Sequence, residues 1–185
     1  MRILALSGSL RAQSLSSAVA RAAAELAPPG TDVELFDRLR EVPLYDADLD
    51  VPGEEPTGVR HLRERIAAAE ALFVVTPEYN GSVSGVLKNA IDWASRPPRG
   101  GAALWGKTAA VAGATTGQFG ALWAQQDLRR ILGLAGARVV DGELPIARAQ
   151  NAFDESLRLV DPLVAERLRA HLQTLVQEAS VPLAA

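Results

Sequence analysis

The sequence predicts an α/β fold, a parallel sheet sandwiched between helices on both faces. Two observations predict it. Short apolar runs alternate along the chain with longer stretches of helical periodicity, the pattern that right-handed strand–helix–strand crossovers produce. Residues 71–97 also pass from an apolar run, Ala71-Leu72-Phe73-Val74-Val75, through Pro77 into a helical pattern with Val86, Leu87, Ala90, Ile91 and Ala94 on one side. That segment reads as a buried strand, a loop and a helix. At 185 residues, 48% of them apolar, the chain has room for one domain with a proper core, expected over residues 1–179.

Element by element, Ile3–Ser7 is a short apolar first strand. From Ser16 to about Ala27 runs an alanine-dense helix, stopped by Pro28-Pro29-Gly30. Val33–Phe36 alternates as a second strand. Residues 37–57, with prolines at 43, 52 and 56, form a long loop over one end of the sheet. Val59–Ala69 is helical, then come the strand at 71–76 and the helix at about 84–95. Arg96-Pro97-Pro98-Arg99-Gly100-Gly101 breaks the chain. Thr108–Gly113 is a fourth strand, Ala121–Leu134 a fourth helix and Ala137–Val140 a fifth strand. Leu157–Glu178 closes the fold as a long amphipathic helix, and 180–185 is a frayed, disordered tail. Five strands and five helices fit the order 2-1-3-4-5, although alternation equally allows other doubly wound orders.

Composition excludes several classes. Net charge is −3, from 19 basic and 22 acidic residues without a basic run, so the electrostatic footprint of a nucleic-acid binder is missing. The absence of cysteine removes disulfides, thiolate metal sites and cysteine nucleophiles. No apolar stretch reaches the ~18–20 residues a membrane span requires, and the first residues have too short an apolar stretch for a signal peptide. A cytoplasmic protein is expected.

Two loops carry the chemistry. Ser7-Gly8-Ser9-Leu10-Arg11-Ala12-Gln13-Ser14-Leu15-Ser16 joins the first strand to the first helix. Its hydroxyls, one guanidinium and the partnerless amides of a helix N-terminus suit a phosphate dianion. Taken alone, the serines read slightly more readily as helix caps. The second loop, Pro77-Glu78-Tyr79-Asn80-Gly81, also leaves a strand's C-terminal end, where open α/β sheets bind ligands, and that pairing favours the phosphate. Only Gly8 is glycine where a dinucleotide fingerprint demands three, which favours a mononucleotide. Asn80-Gly81 tolerates positive φ, and Tyr79 offers a ring beside a flat ligand.

Pro77-Glu78-Tyr79-Asn80, followed by Gly85-Val-Leu-Lys-Asn-Ala-Ile-Asp-Trp93, resembles the signature of the NAD(P)H-dependent FMN reductase family, with its chromate and quinone reductases. Gly8-Ser9-Leu10-Arg11 with Ser14 agrees, as does, more weakly, Val42-Pro43-Leu44-Tyr45-Asp46-Ala47-Asp48. The match runs from about residue 3 to about residue 145. It implies the flavodoxin-like sheet order 2-1-3-4-5. It also implies FMN held by Ser9, Leu10, Arg11, Ser14, Leu15 and Ser16 on the phosphate side, and by Pro77, Glu78, Tyr79, Asn80 and Gly81 along the ring. Thr115, Thr116 and Gly117 resemble a further flavin-contacting stretch. Here Ser16 stands where the family has asparagine, Gly81 where it usually has a larger residue, and Ser84 where it has proline. The family commonly forms homodimers or homotetramers, with the Tyr45 loop and the 84–95 helix as candidate contacts.

One motif is a decoy. Gly101-Ala-Ala-Leu-Trp-Gly106-Lys107-Thr108 matches a P-loop letter for letter, but it precedes a strand instead of following one and opening a helix. His61 and His171 read as surface helix positions without metal-like spacing, and Trp93, Trp105 and Trp123 as core or subunit contacts. No nucleophile, acid–base dyad or metal site is found. The function expected is therefore an oxidoreductase that moves hydride from NADPH or NADH to bound FMN and on to a quinone, free flavin, azo compound or chromate. The rival is a flavodoxin-like electron carrier without a substrate of its own, against which the modest net charge and the Pro-Glu-Tyr-Asn loop argue.

Overall fold

The apolar runs become strands of one parallel sheet, and the amphipathic stretches its covering helices, in the computed structural model, which describes residues 1–97 and 100–181. In chain order these are β1 (Arg2–Ser7), α1 (Leu15–Leu26), β2 (Asp32–Phe36), α2 (Thr57–Ala68), β3 (Ala71–Thr76) and α3 (Gly85–Ala94). Then follow β4 (Thr108–Ala114), α4 (Leu122–Leu134), β5 (Arg138–Val139), β6 (Leu144–Ile146) and α5 (Pro162–Ala179). The strands lie in the order β2-β1-β3-β4-β5, with β6 also on β4, and every pairing is parallel. This is the flavodoxin-like order. Pro98, Arg99 and residues 182–185 of the expected tail lie outside the described residues.

The sheet separates two apolar layers. On one face Ile3, Ala5, Phe73 and Val75 meet Val19 and Ala23 of α1 and Leu168, Leu172 and Leu175 of α5. On the other, Leu4, Leu6, Leu72 and Val74 meet Leu62 and Ile66 of α2, Leu87 and Trp93 of α3 and Leu128 of α4. β3, buried at all six positions, reads as a continuous apolar run because both its faces are covered.

Three expectations are corrected. The fifth strand is only Arg138–Val139, pairing Thr108 and Ala109. After the turn at Gly142 (φ +89°) a strand unforeseen in the sequence, β6, takes over beside Ala112–Ala114. The final helix begins at Pro162, not Leu157. Asp161 caps it, accepting from the Leu163 and Val164 amides, and Pro162 occupies its first turn. A proline disfavours helical backbone in the residue before it, so no helix runs through Asp161. Leu157 itself is left-handed (φ +58°), and Leu159 bridges back to Phe153.

His171 is likewise no surface residue. Between the stretches of β4 paired with β5 and β6 lies Val111, whose carbonyl accepts from His171 Nε2 at 3.0 Å. The ring also meets Phe73 edge-on. Burial pushes its pKa below the ordinary 6.5; the Val111 hydrogen bond and Glu143 oppose the shift, while Arg129 and Arg167 add to it. The unfolded chain therefore takes a proton at about pH 6.5 that the folded chain refuses until lower pH. This contribution to stability is complete above about 6.5 and is lost as pH falls below it. The melting temperature should drop between pH 7.5 and 5.5, by less in His171→Gln; equal drops would assign the pH effect to other groups.

Lys107 immediately precedes β4, at the edge opposite the strands' C-terminal ends. Its ammonium donates to Ala67 O (2.9 Å) and Ala69 O (2.6 Å) where α2 ends, as cations at helix C-termini do. Burial lowers its pKa, with Glu70 opposing the shift. Lys107→Ala should lower the melting temperature by about 2–4 °C, the equivalent of ~1 kcal/mol in a chain of this size. Cofactor content should not change; its loss in this variant would tie Lys107 to a ligand after all.

Candidate functional site

β1, β3 and β4 lie side by side and parallel, so the loops that leave their C-terminal ends meet at one edge of the sheet. There they wall a cleft of about 150 Å³ lined by Ser9, Arg11, Ser14, Leu15 and Ser16, by Pro77, Glu78 and Tyr79, and by Ala114, Thr115 and Thr116.

The first loop is set by Gly8. Its amide donates to Val75 O (2.8 Å), and a Cβ there would sit 2.8 Å from Ser84 Oγ and 3.0 Å from Pro77 Cδ. Ser84 Oγ donates to Gly8 O (2.6 Å), a bond that the family's usual proline cannot make. Ser14 caps α1, its Oγ accepting from the Ser17 amide at 3.1 Å. Capping uses that oxygen as an acceptor and leaves the O–H free to donate, so the cap and the anion contact are compatible. Arg11 has no carboxylate within salt-bridge distance among the described residues.

The second loop is a two-residue hairpin. Tyr79 and Ser82 exchange both backbone hydrogen bonds (3.1 and 3.2 Å), and Asn80 and Gly81 take φ +53° and +74°, the conformation that favours an Asn-Gly pair. Thr76 Oγ1 steadies its base by donating to Pro77 O (2.6 Å). Two side chains fasten it to α4. Glu78 Oε2 accepts from the Ala124 amide (3.2 Å), and Ser82 Oγ donates to Asp127 Oδ2 (2.6 Å). Glu78, the one carboxylate among the lining residues, is thus engaged with a helix N-terminus, where an acid is favoured. The remaining polar groups on the wall are hydroxyls, a guanidinium and helix amides. That donor-rich set fits a phosphate monoester at the α1 end of the cleft.

The third loop owes its path to Gln125, a fully buried side chain that the sequence reading passed over. Its Nε2 donates to Gly120 O (3.0 Å) and its Oε1 accepts from the Leu144 amide (2.9 Å), tying the loop to β6. A glutamine in line with Leu128 and Leu132, both buried on α4, was the available signal, since an amide on an apolar helix face demands partners. Thr115 Oγ1 accepts from the Gly117 amide (3.2 Å).

Much of the long central motif is architecture. Asn89 and Trp93, one turn apart on α3, both donate to Pro43 O (2.8 Å each), and Asn89 Oδ1 accepts from the Tyr45 amide (2.8 Å). These bonds hold the 42–48 segment on α3, where Tyr45 packs edge-on against Trp93. Trp93 is core, whereas Trp105 and Trp123 are about half exposed. Of the residues singled out in the sequence, Asn80 and Gly81 occupy the hairpin tip and Gly117 the third loop, all outside the lining set. Leu10 lines the adjoining cleft. Asp127 joins the site's surroundings without having been foreseen, Ser84, noted in the sequence for replacing a proline, bonds to the first loop, and Ala114 lines the cleft beside Thr115.

Among the described residues no cluster of His, Asp and Glu could hold a metal ion, and no helix is long and apolar enough to cross a membrane.

Comparison with known proteins points the same way. Residues 1–151 match the family model described as NADPH-dependent FMN reductase. An NAD(P)H-dependent FMN reductase of Pseudomonas aeruginosa is 46% identical over 95% of this chain and 93% of its own length. A 2-hydroxy-1,4-benzoquinone reductase of Burkholderia is 36% identical over 96% and 93%. The solved structure of FerB, a flavoenzyme NAD(P)H:(acceptor) oxidoreductase from Paracoccus denitrificans, superposes with a TM-score of 0.83 at 32% identity, covering 96% of each chain.

Proposed function

The chain belongs to the NADPH-dependent FMN reductase family, and from that premise we propose that its three-loop cleft holds FMN for the reduction of a quinone-type acceptor by NAD(P)H. The observation that carries the reading is the donor-rich wall at the N-terminus of α1, facing the Pro77–Tyr79 wall across one cleft. Arg11, Ser9, Ser14, Ser16 and the first amides of α1 would hold the phosphate. Pro77, Glu78 and Tyr79 with Ala114, Thr115 and Thr116 would border the flat ring. When bound, FMN would supply the redox chemistry, relaying the hydride equivalent of NAD(P)H to the acceptor, with the second proton of a quinol coming from water.

The protein's task is then to position and to shield. Glu78 and Asp127 fix the hairpin to α4, and Gln125 fixes the third loop, so both walls stand on rigid elements before a ligand arrives. The walls would cover one side of a flat ring and leave both substrates the other. Alternate occupation of that side should give parallel double-reciprocal plots for NAD(P)H and acceptor, whereas intersecting lines would mean both substrates bound together.

The quinone-type acceptor is carried over from the relatives' activities. The protein is proposed to act in the cytoplasm as a homodimer or homotetramer, using the Tyr45 loop and α3. The deciding experiment is the visible spectrum of protein mixed with FMN, bleached by NADPH without air and restored by 1,4-benzoquinone. Failure to bind FMN in titration would overturn the assignment. Bleaching without restoration by any small acceptor would favour an electron carrier.

A further inference from the structure

Asn80 and Gly81 stand at the hairpin tip, outside the residues that line the cleft, and both are exposed. The Gly81 amide donates to no backbone acceptor among the described residues, because the two bonds of the hairpin join Tyr79 and Ser82. An added Cβ on Gly81 would meet nothing within 4 Å, so the tip is open on that side. The Asn80 side chain has no hydrogen bond among the described residues either. The chain's other asparagines, Asn89 and Asn151, differ. Asn89 is buried in α3 with both ends of its amide bonded, to Pro43 O and to the Tyr45 amide. Asn151 is exposed, but the nitrogen that follows it belongs to Ala152, a buried residue whose amide donates to Ala149 O (3.0 Å).

We propose that Asn80 is a site of spontaneous deamidation, in which the Gly81 nitrogen attacks the Asn80 side chain and disables the hairpin; the resulting loss of flavin affinity rests on the assignment above. The Gly81 nitrogen gives up its proton and bonds to Asn80 Cγ. The Cγ–Nδ2 bond breaks, and ammonia departs with that proton, leaving a five-membered succinimide ring. Water then opens the ring at either carbonyl. One opening gives aspartate; the other gives isoaspartate, whose main chain runs through Cβ and Cγ. The sum is one water consumed and one ammonia released, with nothing oxidised or reduced. Glycine suits the step because it carries no side chain beside the attacking nitrogen. Ring closure turns the Asn80 backbone out of its turn conformation (φ +53°), so the two Tyr79–Ser82 bonds (3.1 and 3.2 Å) oppose it. A ligand lying on the Pro77–Tyr79 wall steadies the hairpin and therefore slows the reaction. Isoaspartate lengthens a two-residue turn by one main-chain atom, which breaks the register that pairs Tyr79 with Ser82. Aspartate keeps the turn but adds a negative charge near a cleft that is to hold an anion.

The test keeps FMN-free and FMN-loaded protein side by side in warm, mildly alkaline buffer and follows each asparagine by peptide mapping, for the mass gain of amide to acid and for isoaspartate. In the FMN-free protein the Asn80 peptide should convert while the Asn151 peptide hardly changes. Asp141-Gly142 can close the same ring but has no side-chain amide to lose, so the mass gain separates it. FMN at about 100 times its dissociation constant should slow the conversion by up to roughly 100-fold, the factor by which binding suppresses an open hairpin that does not bind. Converted protein, separated by anion exchange, should bind FMN roughly 10-fold more weakly, the scale of the hydrogen bonds lost at the turn. Asn80→Gln, which can close only a slower six-membered ring, should keep its own starting FMN affinity through the same incubation. Conversion of Asn80 no faster than that of Asn151, an unaltered affinity after conversion, or decay of Asn80→Gln at the pace of the unaltered protein would overturn the proposal while leaving the flavin assignment intact. Equal conversion with and without FMN, in protein that titrates with FMN, would overturn the protective role of the ligand. Failure of the fresh protein to bind FMN would instead remove the assignment and with it the functional consequence, while the mapping of Asn80 against Asn151 would still decide the modification.

Discussion

Replacing Arg11 by alanine should weaken FMN binding roughly 10- to 150-fold, the equivalent of about 1.5–3 kcal/mol for a hydrogen bond to a charged group. Arg11 is exposed, lines both clefts and has no carboxylate partner among the described residues. Its removal therefore leaves no buried charge stranded, and the melting temperature of the cofactor-free protein should hardly move. The loss should appear in the FMN dissociation constant, measured by fluorescence quenching, and should diminish at high salt as the charge is screened. Lysine at this position should recover part of the affinity, since it restores the charge without the planar fork. An unchanged dissociation constant would move the phosphate away from the first loop.

Gly113→Ala should damage stability and the site together. A Cβ at this position would lie 2.7 Å from both Ala121 Cβ and Gln125 Nε2, and 2.8 Å from Gly120 O. Ala121 is the left-handed residue that caps α4, and Gln125 is the tie between the third loop and β6, so neither can yield without moving a wall of the cleft. Overpacking of this kind costs about 1–3 kcal/mol, or roughly 2–12 °C of melting temperature in a chain of this size. FMN affinity should fall as well, because α4 also anchors the Pro77–Ser82 hairpin through Ala124 and Asp127. Gly133→Ala, where an added Cβ meets nothing within 4 Å, is the control. A Gly113→Ala protein that melts and binds FMN like the control would show that the third loop shifts freely.

The candidate site was legible wherever a backbone conformation demanded particular residues. Asn80-Gly81 marked a place for positive φ, and both residues take it, in a hairpin the sequence reading did not name. Pro77 marked the end of β3, whereas α1, expected from Ser16, starts one residue earlier at Leu15 with Ser14 as its cap. The errors fell where spacing was read without its punctuation. Leu157 and Val160 keep helical spacing with the residues of α5, yet Asp161-Pro162 is itself a helix start and outranks the spacing. His171 looked like a surface position because its nearest partner, Val111 O, is distant in the chain and is freed only by the handover from β5 to β6. Asn89 and Trp93 belong to the family-signature motif, and their hydrogen bonds go to Pro43; Trp93 is core, one of the two roles its sequence reading allowed.

The sequence by itself determined the alternation of strands and helices, the two ligand-facing loops, the resemblance that selects the sheet order, and the rejection of the Lys107 P-loop. Each depends on neighbours a few residues apart or on the order of elements along the chain. Only the tertiary structure decided which side chains face the cleft. It turned Glu78 onto the start of α4, placed Asn80 and Gly81 at an exposed tip, and made Gln125 the buried link to β6. Those outcomes depend on the parallel pairing of β1 with β2 and β3, which sets the ends of strands dozens of residues apart side by side. No local pattern records which polar atoms will meet there, because buried donors and acceptors find partners by distance in space, not in sequence.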